Sequence, residues 1–186
     1  AVKLQIAFYE RFGCEGLRAY AQTIRAAKER GLIVIGDVKR NDIGTTAGAY
    51  AEAHLPSGES SDWEPADDFH ADAITINPLF GSDGVTPFLE RAHTSGAGLF
   101  ALVKTSNSSS REIQDLRCPD QPLYERIGSL VDGWGAPVVG ERGYSLLGAV
   151  VGATFPEELE ALREMMPHAL FLVPGFGAQG GGVEDV

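Results

Sequence analysis

Two carboxylates and two cations crowd into six consecutive residues, Asp37-Val38-Lys39-Arg40-Asn41-Asp42, directly after the apolar run Leu32-Ile33-Val34-Ile35-Gly36. Asp37 and Lys39 stand two apart, so in extended backbone their side chains point the same way. Burying carboxylates and an ammonium together is costly unless the charges compensate one another. Spacing alone leaves two readings open. One is a structural ion pair at a strand end or a solvated charge cluster in a loop. The other is a catalytic set of charges.

The elements that must position this segment alternate between short β-branched runs and longer stretches of helical period. Val2 to Ala7 reads as a strand, and Glu15 to Arg30 as a helix with Leu17, Tyr20, Ala21, Ile24 and Ala27 on one face and Gly31 at its end. Leu32 to Asp37 is apolar almost throughout, as a buried parallel strand is. Thr45 to Leu55 reads as a helix, Ala71 to Asn77 as a strand, Gly84 to Thr94 as a helix and Gly98 to Lys104 as a strand. After the polar turn Thr105 to Ser110 come a helix (Pro122 to Trp134), a strand (Leu147 to Val151), a helix opened by Pro156 and running to Met166, and a strand (Ala169 to Val173).

Strands joined by helical crossovers make a parallel α/β protein, either a doubly wound open sheet or a barrel. Polar and glycine-rich residues follow almost every strand: Asp37 and Lys39, Asn77, Lys104 to Asn107, Gly152 to Thr154, Pro174 to Gly182. A barrel gathers all such ends on one face, whereas an open sheet concentrates them at one switch point. The distribution favours a (β/α)8 TIM barrel. A complete one has eight strands and typically ~250 residues, so about six of the eight are expected here, with the barrel truncated at both ends. The expectation is one incomplete domain, 1–186, with a polar loop inserted at 56–70.

With 186 residues, 44% of them hydrophobic and 22% charged, the chain has the composition of an ordinary soluble globular protein. A net charge of −11 without a basic block argues against a nucleic-acid or anionic-membrane surface. No apolar run approaches the ~20 residues of a membrane span, and the N-terminus lacks the order of a signal peptide. Cys14 and Cys118 are too few for a disulfide scaffold, which makes a reducing cytoplasm the default. His54, His70, His93 and His168 show no metal-ligand spacing and read as scattered surface or loop histidines.

The ten residues Asp37 to Thr46 together resemble the DxKxxDI-x-x-T motif of the orotidine 5'-phosphate decarboxylases, and the form with Lys-Arg and Gly-Thr-Thr is similar to a bacterial subgroup. Further blocks match in the family's order: Val2 to Gln5 with Phe8 to Gly13, Thr75 to Pro78, Lys104 to Asn107, Gly148 to Thr154, and Leu172 to Gly181. The resemblance implies a metal-free and cofactor-free decarboxylation of orotidine 5'-monophosphate to UMP, the last step of de novo pyrimidine nucleotide synthesis. It implies that Lys39 stabilises and then protonates a ring carbanion. Asp37 would lie beside the substrate carboxylate and hold Lys39, and Lys3 would contact the ribose hydroxyls and Asp37. Asp42 would complete the charge array from the partner subunit of a homodimer. Thr46 matches a ribose contact and Ser106 a contact to the pyrimidine edge. Pro174, Gln179 and Gly180 belong to the substrate-binding set in and before a glycine-rich phosphate loop.

Each residue has a plainer alternative: a solvent lysine for Lys3, a helix N-terminal threonine for Thr46, a polar turn for Ser106, a flexible tail for Gln179 and Gly180. The family also uses an aspartate after an earlier strand and an arginine after the final one, and this chain has neither position. Two other functions compete, a magnesium-dependent sugar-phosphate decarboxylase of the same barrel superfamily and a non-catalytic nucleotide-binding barrel. Ser106 and the Gly-Ala-Gln-Gly-Gly stretch favour the nucleotide enzyme over the first. The intact Asp37, Lys39 and Asp42 argue against the second.

Overall fold

Strand β1 (Val2–Gln5) stays extended only to Gln5, two residues short of the expected end. Buried Ile6 then turns the chain into a single helical turn, α1 (Ala7–Glu10). The computed structural model describes residues 1–57, 69–154 and 156–175. The chain divides into two compact units, Ala1–Leu99 and Phe100–Val186.

In the first unit, α2 (Gly13–Lys28) buries Gly16, Tyr20, Ala21, Ile24 and Ala27, the i, i+4, i+8 stripe of a helix that covers a sheet. Full burial of a side chain such as Ile24 contributes about 1.5–3 kcal/mol. Strand β2 (Val34–Arg40) lies parallel to β1, with Val2 opposite Val34 and Gln5 opposite Asp37. A Cβ at Gly36 would stand 2.8 Å from the Tyr20 hydroxyl, so the missing side chain is what lets α2 settle on β2. The strand begins two residues later than its apolar run suggests. Leu32 and Ile33 are exposed, and Leu32 instead closes the end of α2 through its amide to Ala27 O.

Helix α3 (Gly44–His54) follows, with Ala47, Ala51 and His54 on its buried face. His54 is therefore a core residue and not a surface histidine: its ring stacks near Phe69 at 5.9 Å between centroids. The helical period places it on the same face as two alanines, a position that composition alone conceals. Strand β3 (Ala73–Ile76) pairs parallel to β2, and α4 (Ser82–Ser95) ends at Gly96 in the left-handed conformation. Most of the polar loop expected at 56–70 lies outside the described residues.

Strand β4 (Gly98–Lys104) spans the boundary between the units. In the second unit it leads to a 3-10 turn at Ser108–Ser110, then α5 (Arg111–Gln114) and α6 (Leu123–Gly135). Strand β5 (Leu147–Val151) is buried at every residue, as a parallel strand covered on both faces must be. It pairs parallel to the two-residue β6 (Phe171–Leu172), with α7 (Pro156–Met165) as the crossover. Gly128 on α6 admits Leu162 of α7, whose Cδ2 would lie 2.9 Å from an added Cβ.

Candidate active site

The site in the first unit is built on a backbone irregularity. Gly36 pairs with Ile74 and Arg40 with Ile76, so four steps of β2 run alongside two of β3. The excess is taken up at Lys39, whose φ of 47° is positive, the one non-glycine residue among those described with that conformation. This differs from the extended backbone that the Asp-x-Lys spacing suggests. A left-handed conformation costs an L residue roughly 1–2 kcal/mol, so the surroundings must hold it. Thr75 on β3 does so: its buried hydroxyl accepts the Lys39 amide at 3.0 Å. The bulge still brings the two side chains together, and Lys39 Nζ pairs with Asp37 Oδ1.

Asp37, 6% exposed, is surrounded by donors. Lys3 Nζ reaches its Oδ2 at 2.6 Å from the neighbouring strand, and Gln5 Nε2 reaches the same oxygen at 3.0 Å. Thr75 Oγ1 donates to Oδ1 at 2.9 Å, alongside Lys39. Burial alone would raise the Asp37 carboxyl. The hydrogen bonds from Lys3 and Lys39, with their positive charges, outweigh it and hold the group below the ordinary aspartate range. Lys3 and Lys39 are only partly covered, at 39% and 44% side-chain exposure, so neither side chain is closed off from solvent. Two cations on one buried carboxylate form a fixed electrostatic array that is positive toward solvent.

Gln5 and Thr75 were not singled out by sequence reasoning. The in-register pairing of β1 with β2 sets Gln5 beside Asp37, and the slip against β3 sets Thr75 there. Each lies at or next to a strand's C-terminal end and within a block that resembles the family, the two signals that mark it. Arg40 braces the bulge from the other side. Its guanidinium donates to Glu10 Oε1 at 2.6 Å and to Val38 O at 3.1 Å, and lies over the Tyr50 ring at 5.5 Å.

Asp42 is not part of this cluster. It is half-buried, its Oδ1 accepts the Ile43 amide at 2.8 Å, and it forms no ion pair among the described residues. Thr46 is exposed in the first turn of α3, whose N-cap is Ile43 without a side-chain cap. Among the described residues no group of three or more His, Cys, Asp or Glu side chains is arranged to hold a metal ion.

In the second unit Ser106 is half-buried directly after β4. Thr154 Oγ1 donates to its carbonyl at 3.0 Å, and a Cβ at Gly152 would lie 2.8 Å from its Cα. Pro174 is half-buried after β6, and its carbonyl accepts the Ala153 amide at 2.9 Å. Gln179 and Gly180 lie outside the described residues.

Residues 1–186 match the Orotidine 5'-phosphate decarboxylase / HUMPS family over their whole length. An orotidine 5'-phosphate decarboxylase of Rhodopirellula baltica is 46% identical over 185 residues, covering 100% of this chain and 60% of that protein. Among solved structures, UMP synthase of Leishmania donovani aligns at a TM-score of 0.81 and 39% identity, over 100% of this chain and 37% of the other. OMP decarboxylase of the same organism aligns at 0.78 and 38% identity, over 95% of this chain and 62% of the other. The chain spans about 60% of the length of the curated relatives it matches. These likenesses decide between open sheet and barrel: the six strands among the described residues are those of a parallel (β/α) barrel. No described helix is long and apolar enough to cross a membrane. On sequence and fold together, the chain belongs to the orotidine 5'-phosphate decarboxylase / HUMPS family.

Proposed function

We infer that this chain carries the catalytic charges of an orotidine 5'-monophosphate decarboxylase acting in pyrimidine nucleotide synthesis, without metal or organic cofactor. The observation that carries the reading is the buried Asp37 carboxylate gripped by Lys3 and Lys39, with Lys39 held in a strained conformation. Strain is retained where the surroundings over-determine it, and such places cluster at functional sites.

In this reaction the bond from ring carbon C6 to the carboxylate breaks, carbon dioxide leaves, and the electron pair stays on C6. The Lys39 ammonium faces that charge as it develops, stabilises it, and gives it a proton to form UMP. Asp37 fixes Lys39 and lies against the departing carboxylate. Lys3, its other ion partner, contacts the ribose hydroxyls, and Thr46 adds a further ribose contact. Ser106 holds the pyrimidine edge, and Pro174, Gln179 and Gly180 hold the nucleotide at its phosphate end. Residues 1–186 form one domain in this reading, with 56–70 inserted into it, and the enzyme is a cytoplasmic homodimer.

The dimer is supported by the surroundings of Asp42. Ile43 beside it is 54% exposed, and so is Phe80 at 53%; Phe80 Cβ and Asp42 O both border Gly84. An apolar rim around a carboxylate that forms no ion pair among the described residues suits a second copy of the chain, into whose site Asp42 reaches.

The reading is tested on the full-length protein by following carbon dioxide release and UMP formation from orotidine 5'-monophosphate with a metal chelator present. Turnover under chelation supports it. Loss of turnover on chelation, restored by magnesium, would place the chain with metal-dependent chemistry instead.

A further inference from the structure

Lys104, the last residue of β4, is fully buried, and its ammonium has no part in the chemistry above. Its Nζ pairs with Asp115, eleven residues on, and lies 4.7 Å from the centroid of the Tyr124 ring. A buried ammonium is retained only where its partners compensate the loss of water. The adjacent residues repeat the pairing. Thr105 donates its amide to Gln114 Oε1 at 2.9 Å, and Gln114 Nε2 donates to Thr105 Oγ1 at 2.8 Å.

Two successive residues leaving β4 are thus clamped to two successive residues returning, and Ser106 is the first residue beyond the clamp. Its other side is fixed as well. Gly152 donates its amide to Lys104 O at 2.8 Å and packs against Ser106, and Thr154 holds the Ser106 carbonyl. The backbone of Ser106 is held on both sides, while its hydroxyl makes no hydrogen bond among the described residues.

We propose that Lys104 and Asp115 are a positioning pair that aims the Ser106 hydroxyl at the nucleobase of the ligand. The proposal rests on the reading of Ser106 as a pyrimidine contact and extends it to residues that touch no ligand. Fixing the backbone in advance spares the bound state the cost of ordering this loop. The pair therefore acts on base recognition and leaves the sugar-phosphate part of the ligand alone.

The test is a double-mutant cycle on the full-length protein, read by calorimetric titration with UMP and, separately, with ribose 5-phosphate. Ser106→Ala should weaken UMP binding roughly tenfold, the scale of one well-placed hydrogen bond, and leave ribose 5-phosphate unchanged. Lys104→Met should do the same. The double variant should bind UMP no more weakly than Ser106→Ala alone, because both changes remove one interaction. Asp115→Asn, which keeps the shape and leaves an acceptor, should show a smaller loss of the same kind, and it decides the matter if Lys104→Met does not fold. Additive losses, or equal losses for UMP and ribose 5-phosphate, make the pair merely structural and overturn the proposal, as does failure of both variants to fold. A Ser106→Ala protein that binds UMP normally instead overturns the assignment of Ser106, and the inference falls with it.

Discussion

The hydroxyl of Thr75 stands between the backbone of Lys39 and the carboxylate of Asp37, accepting from the first at 3.0 Å and donating to the second at 2.9 Å. One buried side chain on β3 thereby sets both the bulge and the orientation of its acid. Thr75→Val keeps the shape and removes both bonds. It should destabilise the protein by about 1–3 kcal/mol, because the Lys39 amide and Asp37 Oδ1 each lose a partner in a buried place. Turnover should fall by more than stability explains. Denaturant titration and steady-state kinetics on one preparation measure the two; unchanged kcat/KM would show that Thr75 does not aim the pair.

The positive φ of Lys39 gives a prediction that separates strain from chemistry. Lys39→Gly and Lys39→Ala both lose the ion pair and the ammonium. Glycine adopts the left-handed conformation freely and alanine does not, so the glycine variant should be the more stable by about 1 kcal/mol. At an ordinary strand position the order would be reversed. Chemical denaturation of the two variants gives the sign directly.

His54 should make the protein sensitive to mild acid. Burial, reinforced by the charges of Arg40 and His70, lowers its pKa to about 4. An unfolded histidine titrates near 6.5, so between these values the unfolded chain takes up a proton that the folded one refuses. The contribution is fully present above pH ~6.5, is lost as the pH falls to about 4, and amounts to about 3 kcal/mol at most. His54→Leu should flatten the pH dependence of the denaturation midpoint across that interval. An unaltered slope would mean that other groups set it.

Much of this arrangement is legible in the sequence because two periodicities and one motif carry it. Strands β4 and β5 fall where their apolar runs place them, since nothing at their ends competes with the ladder. The stripe on α2 is readable for the same reason. Strand β6 is harder: of the five residues from Ala169 to Val173 only Phe171–Leu172 pair, and no pattern within the segment marks that limit. At the site, the motif locates Asp37 and Lys39 but not the bulge that joins them. The bulge follows from the register of β2 against β3, a relation between segments some 36 residues apart. Gln5 and Thr75 fall within matched blocks, but their part at Asp37 is hidden for that reason until the strands are set side by side. His54 is missed because a histidine's burial is decided by its helical face and not by its type.

If Asp42 serves the site of the partner subunit, two inactive proteins should restore one another. Lys39→Ala and Asp42→Ala subunits, mixed and allowed to exchange, should form hybrid dimers in which one site carries both lesions and the other neither. Under random pairing roughly a quarter of all sites recover. Activity that stays absent, with exchange verified by mass, would place Asp42 in the site of its own chain.

The most direct test of the whole account is the rate of carbon dioxide release from orotidine 5'-monophosphate by the full-length Lys39→Ala protein, with UMP binding measured alongside. The account predicts a loss of at least about a thousandfold in kcat/KM, on the scale of removing a charge that acts in the transition state, with folding and substantial UMP binding retained. A Lys39→Ala protein that releases carbon dioxide at near-normal rates would contradict it.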